Sequence, residues 1–71
     1  LKIKSFDFFP GREDSFLVHF EDGSLHTVEI DTRFGNQNAY RIVKYCDKYI
    51  IDGSLLFYFV GNKLFRIDFE D

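Results

Sequence analysis

Between the turn pairs Asp52-Gly53 and Gly61-Asn62 the chain runs through Leu55-Leu56-Phe57-Tyr58-Phe59-Val60, six large apolar side chains without a break. Alternate side chains of a strand point to opposite faces, so this segment has no polar side to give to water. The pattern predicts a central strand sealed on both faces, because at an open edge it would template aggregation.

Residues 16–31 form the cleanest hairpin pattern. Phe16, Val18 and Phe20 alternate with Leu17, His19 and Glu21, and His26, Val28 and Ile30 alternate with Leu25, Thr27 and Glu29. A two-residue Asp22-Gly23 turn would pair Phe20 with Leu25 and mix polar with apolar on both faces. A three-residue connection with Gly23 left-handed pairs Phe20 with Ser24 and Phe16 with Val28. One buried face fixes register, so the bulged turn is predicted, with Phe16, Val18, Phe20, Val28 and Ile30 on the core side.

The flanking elements follow. Residues 1–9 alternate at first, blur from Phe6, and end at Pro10-Gly11. Residues 49–52 read as a short strand, and residues 63–69 return from the Gly61-Asn62 turn. Residues 32–38 are loop by composition. Beyond them Ala39, Ile42, Val43, Cys46 and Ile50 fall at i, i+3, i+4, i+7 and i+11, the stripe of one helix face, with Asn36 or Asn38 as N-cap. Read as a strand, neither parity of residues 40–45 is clean, although the helix propensities are only middling. The stripe favours a short helix near 38–48. The expected fold is mainly β, of the α+β class. It is an antiparallel sheet of five to six strands built from two hairpins plus an N-terminal strand, with the helix packed on Phe57 or Tyr58.

Residues 15–30 also echo residues 54–69 at an offset of 39, with Ser15/Ser54, Leu17/Leu56, Phe20/Phe59 and Leu25/Leu64 identical. A period near 40 invites a repeat reading. In its strand, Pro-Gly, strand, Asp-Gly, strand spacing, the segment 3–31 loosely resembles a WD-type blade. That resemblance would imply a ring of blades, but tryptophan is absent, the Trp-Asp pair with it, and no family is claimed.

Composition sharpens the picture in three places. Seventy-one residues make one small domain, and the single cysteine, Cys46, excludes an internal disulfide. Ten Phe and four Tyr must therefore supply the stability. Methionine is absent even at position 1, so the chain is expected to be a piece of something longer. The lone thiol and the lack of a leader-like run point to a cytoplasmic, reducing setting, and no stretch has a membrane span's length.

The chemistry searched for is mostly not there. His19 and His26 belong to one hairpin and fall on opposite faces in the bulged register, His26 toward the core, so they do not share a metal. Cys46 sits on the apolar stripe and reads as a buried thiol. The carboxylates have no cleft in which to act as a catalytic pair, and no glycine loop cradles phosphate. Neither a cofactor, a metal nor a small-molecule substrate is implied, and an enzyme is not expected.

Charge is the most informative polar feature. Residues 12–31 hold one basic and six acidic groups, whereas Arg33, Arg41, Lys44 and Lys48 meet only Asp47 in residues 32–48. On a helix Arg41, Lys44 and Lys48 would form one stripe flanked by Phe34, Tyr40 and Tyr45. These seven residues are the candidate partner-binding set for a non-catalytic module that binds another protein or itself. The alternatives are a small nucleic-acid-binding β domain, disfavoured by the net charge of −3, or an acidic decoy that inhibits a nucleic-acid-binding enzyme.

Overall fold

Each alternating segment of the chain closes into a hairpin, and the two hairpins sit in different sheets. A computed structural model describes residues 1–9, 11–31, 33 and 35–70; Pro10 of the expected turn, and Phe34, lie outside them. The strands are β1 (Ile3–Phe8), β2 (Ser15–Phe20), β3 (Leu25–Asp31), β4 (Asn36–Val43), β5 (Lys48–Asp52), β6 (Leu55–Val60) and β7 (Lys63–Asp68). The first four form one antiparallel sheet in the order β1-β2-β3-β4, and the last three a second in the order β5-β6-β7.

The turn chemistry explains the first hairpin. Gly23 has a φ of 91°, its N–H donates to the Phe20 carbonyl at 2.9 Å, and the Phe20 N–H donates to the Ser24 carbonyl at 3.0 Å. Phe16 faces Val28, the register predicted for the three-residue bulged turn. The Asp22 carboxylate holds the corner by accepting from the Ser24 N–H and hydroxyl at 2.9 and 2.6 Å. The second hairpin turns on Gly61 and Asn62 alone, with Val60 opposite Lys63.

The expected α+β fold is overturned. The protein is all-β, with seven strands in two antiparallel sheets, and no helix occurs among the described residues. No helix among them is therefore long and apolar enough to cross a membrane. The segment given to a helix near 38–48 is instead β4, a bend and the start of β5. The cause is local: β4 pairs along all of β3, but the register shifts between Leu25 and His26, which face Val43 and Arg41. That bulge inserts Ile42 and breaks the period of two, so a strand imitated a helical stripe. Of the supposed stripe, Val43 and Cys46 are buried and Ile42 packs on them, while Ile50 is exposed and Ala39 too.

Two burial expectations also change. The interior between the sheets is lined by Leu17, Leu25, Val43, Cys46 and Leu56, so the first hairpin turns its Leu17 side inward, not its Phe16 side. Strand β6 is central in its sheet but sealed on one face only. Leu56 is fully buried, and Phe57, Tyr58 and Phe59 are half-buried.

Backbone hydrogen bonds define the true repeat. The Ile30 N–H donates to the Asp14 carbonyl, and the Phe69 N–H to the Ser54 carbonyl, both at 2.9 Å. Even-numbered residues of β2 and β6 thus direct their backbone groups at the following strand. Odd-numbered ones face the preceding strand, where Phe9 N–H meets the Ser15 carbonyl and Asp47 N–H the Phe59 carbonyl. In space β2 therefore matches β6 at an offset of 40, as Asp14 matches Ser54. β3 matches β7 at 39, since Val28 faces Phe16 and Ile67 faces Leu56. The extra residue of the first turn accounts for the difference. The sequence echo is right for the returning strand and one residue out for the leading one, which exchanges its faces.

One substitution tests this frame. A Cβ at Gly23 would run into the Tyr45 ring, whereas one at Gly53, also at positive φ, meets nothing within 4 Å. Gly23→Ala is expected to lower the urea midpoint by the equivalent of about 1–3 kcal/mol, and by more than Gly53→Ala. Equal losses would show that the Tyr45 contact contributes nothing.

Candidate interaction surface

Residues directly opposite one another across a sheet share a face, so the registers assign every side chain. One face of the four-stranded sheet carries the rows Phe6–Val18–His26–Arg41 and Phe8–Phe16–Val28–Ala39. The other carries Asp7–Leu17–Thr27–Tyr40 and Ser5–His19–Leu25–Val43, and it looks toward the three-stranded sheet. A register shift between Ile3 and Ser5 returns Ile3 to the Phe6 side, opposite Phe20. The blur in the N-terminal alternation is this bulge.

The outer face is strongly apolar. Ile3, Phe6 and Phe8 are 58%, 60% and 69% exposed, and Phe16 is half-buried among them. The Phe16 ring lies 5.4 Å from Phe8 and 6.3 Å from Phe6, the latter edge-on. Phe20 meets His26 edge-on at 4.8 Å. Together these rings form a connected aromatic sheet surface, and its two central rows carry His26 and Arg41 but no carboxylate.

Arg41, Lys44 and Lys48 do not form the expected stripe. Arg41 lies on this outer face, whereas Tyr40, its neighbour in the strand, points to the opposite side. Arg33 lies in the turn before β4, and Lys44 at the bend after it, both exposed. Tyr45 donates its hydroxyl to Asp47 at 2.6 Å, and the Lys48 ammonium sits 5.1 Å above the Phe59 ring. With the helix gone, the spacing that aligned Arg41, Lys44 and Lys48 no longer applies. The residues missed were Ile3, Phe6, Phe8 and Phe16. Pairing the blurred first strand against β2 is the operation that would have found them.

Inside, the fold brings together a pair the spacing could not suggest. His19 is buried, contrary to its expected outward position, and its Nε2 lies 3.1 Å from the Cys46 carbonyl and 3.6 Å from Cys46 Sγ. A carbonyl only accepts, so Nε2 carries the proton and is not poised to deprotonate the thiol. Burial pushes the Cys46 thiol up. Both groups are almost wholly enclosed, which makes the pair an interior contact with no approach for a substrate. His26 lies on the opposite face, the outer one, so the two histidines remain apart. No cluster of three or more metal-binding side chains occurs among the described residues.

The remaining polar groups serve local structure. Asp47 accepts from Tyr45 and, at 2.7 Å, from the Gly61 N–H. The Tyr45 hydroxyl, first, and that N–H hold its carboxyl below the usual range. Tyr49 donates to Asp7 at 2.6 Å and tethers β5 to β1. An open cleft of about 1330 Å³, where none was expected, lies between the sheets, lined by Phe9, Ile42, Ile51 and Phe69 and by the carboxylates Glu13, Glu29 and Glu70. Arg12 pairs with Glu29 at 3.5 Å beside it.

No protein-family model, no curated protein and no solved structure matches this chain.

Two measurements check the interior. Burial, and then the bond to Asp7, push Tyr49 up to about 12. A phenol raised in the folded state stabilises fully below its ordinary value near 10, and the contribution is lost as pH climbs through the folded value. Stability measured across that window should fall more steeply for the wild type than for Tyr49→Phe. Cys46 should resist a thiol reagent in native buffer and react rapidly in urea; fast native labelling would contradict its enclosure.

Proposed function

We propose that this chain is a non-catalytic interaction module that binds another protein, or itself, through the outer face of its four-stranded sheet. The observation that carries the reading is the exposure of Ile3, Phe6 and Phe8 around Phe16 on one continuous face. Contiguous apolar patches of this kind mark interaction surfaces on soluble domains. Arg41 is the one member of the sequence-derived basic set on that face, and aromatic side chains with Arg are the types enriched where interfaces are strongest.

A nucleic-acid platform is the second reading, supported by three phenylalanine rings on the same sheet face as Arg41, which stands at that face's far edge, since bases stack on such rings. The net charge of −3 weighs against it.

The double variant Phe6→Ser, Phe8→Ser tests the proposal. Both side chains are mostly exposed, so the thermal midpoint should hold within a few degrees. A partner retained from cell extract by the wild type should then be lost by the variant; equal retention would refute this surface. Labelled single-stranded oligonucleotides provide the other arm. Tight low-salt binding with a steep salt slope, abolished by Arg41→Glu, would replace the protein reading with the nucleic-acid one.

A further inference from the structure

We infer that the outer face of the four-stranded sheet is one half of a repeated sheet-on-sheet interface, and that its other half is the outer face of the three-stranded sheet in a second copy of this chain. The inference rests on the proposed interaction surface and names its occupant.

Hydrogen-bond parity carries it. Even-numbered residues of β2 and β6 both bond toward the strand that follows them. With the strand running upward and such a residue facing the viewer, backbone chirality places the following strand on the same side in both sheets. The odd-numbered face of β2, through Leu17, and the even-numbered face of β6, through Leu56, meet in the interior, so the two sheets present equivalent faces in the same direction, one behind the other. A face-to-face pair would instead put equivalent faces together.

Equivalence then runs row by row. Phe8, Phe16 and Val28 on the outer face correspond to Ile51, Leu56 and Ile67, and Phe6, Val18 and His26 correspond to Tyr49, Tyr58 and Phe65. The second members of these rows are the surface with which the three-stranded sheet packs on its neighbour. Leu56 is fully buried there, and Tyr49, Ile51, Tyr58 and Ile67 pack beside it. At the opposite end, Ile50–Phe57–Arg66 and Lys48–Phe59–Leu64 correspond to Asp7–Leu17–Thr27 and Ser5–His19–Leu25, the surface that receives it. Ile50 and Leu64 are 52% and 58% exposed.

Each end of the molecule thus carries one side of a contact whose complete form already exists at its centre. Stacked repeats that terminate in solvent carry polar end faces; here Ile3, Phe6 and Phe8 are exposed at one end, and Ile50 and Leu64 at the other beside Lys48, Arg66 and the row Asp52–Leu55–Asp68. Four strands of about six residues offer a footprint of roughly 20 by 20 Å. Counted on both partners that is about 800 Å², below the range of stable specific interfaces, so the association is a weak one, sought at roughly 1 μM to 1 mM. Because the two surfaces differ, the contact is head-to-tail and continues past the dimer into a ring or filament.

Sedimentation over that range, with Phe8→Glu and Ile50→Glu, tests it. Both positions are more than half exposed, and unchanged circular dichroism verifies each fold. The wild type should exceed dimer mass, and each variant alone should be a monomer. An equimolar mixture should stop at a dimer, formed by the intact end of each. A wild type that stays monomeric overturns the inference, as does a dimer that persists in one variant alone, the mark of a symmetric contact. A monomeric wild type that still retains a partner lost by Phe6→Ser, Phe8→Ser defeats only the second copy. Retention by that double variant defeats the interaction surface itself.

Discussion

Leu17, Leu25 and Leu56 lose all contact with solvent at one thin interior between two sheets, and nearly every other feature of the molecule serves to keep that interior closed. So small a domain buries only about 60% of the surface its unfolded chain exposes, and no disulfide assists it. Each leucine truncated to alanine would remove about 2–5 kcal/mol, a large fraction of what such a domain holds. The polar groups drawn inside are tied accordingly. The buried His19 ring meets the Cys46 carbonyl and stands edge-on to Tyr49 at 5.6 Å. An unpaired imidazole there would be strongly destabilising.

The crossing from one sheet to the other is made rigid by backbone and carboxylate. Cys46 N–H donates to the Gly23 carbonyl at 2.8 Å, and the Tyr45 ring lies where a side chain at position 23 would need to go. Asp47 joins this linker to the β6–β7 turn through Gly61. A glycine required for the first turn is therefore also the seat of the connection between sheets. One position carries two constraints, so a Cβ there strains the turn and displaces the Tyr45 ring together.

Aromatic content exceeds what that interior can take. Only Leu, Val and Cys appear among its fully enclosed apolar residues, so the phenylalanines are displaced to the rims and outer faces. Phe9 and Phe69 meet at 4.6 Å beside the cleft, and Tyr58 stacks on Phe65 at 5.1 Å. Phe6, Phe8 and Phe16 cover the outer face. That displacement is what the proposed interaction surface rests on.

Read alone, the chain determined the strands other than β4 and the turns at Asp22-Gly23 and Gly61-Asn62. Gly and Asn or Asp mark the corners, alternation marks the strands between them, and the Phe16–Val28 register follows from keeping one face apolar. Tertiary structure decided the rest. Local pattern pointed the Phe16, Val18 and Phe20 side of β2 inward, and only the opposing sheet selected the Leu17 side instead; both faces of β6 are apolar, so its pattern made no choice. The bulge opposite Leu25 made residues 39–46 imitate a helix, and pairing with β3 overruled the imitation. Division into two sheets, and with it the exposed aromatic face, arises from contacts distant in sequence that no local periodicity encodes.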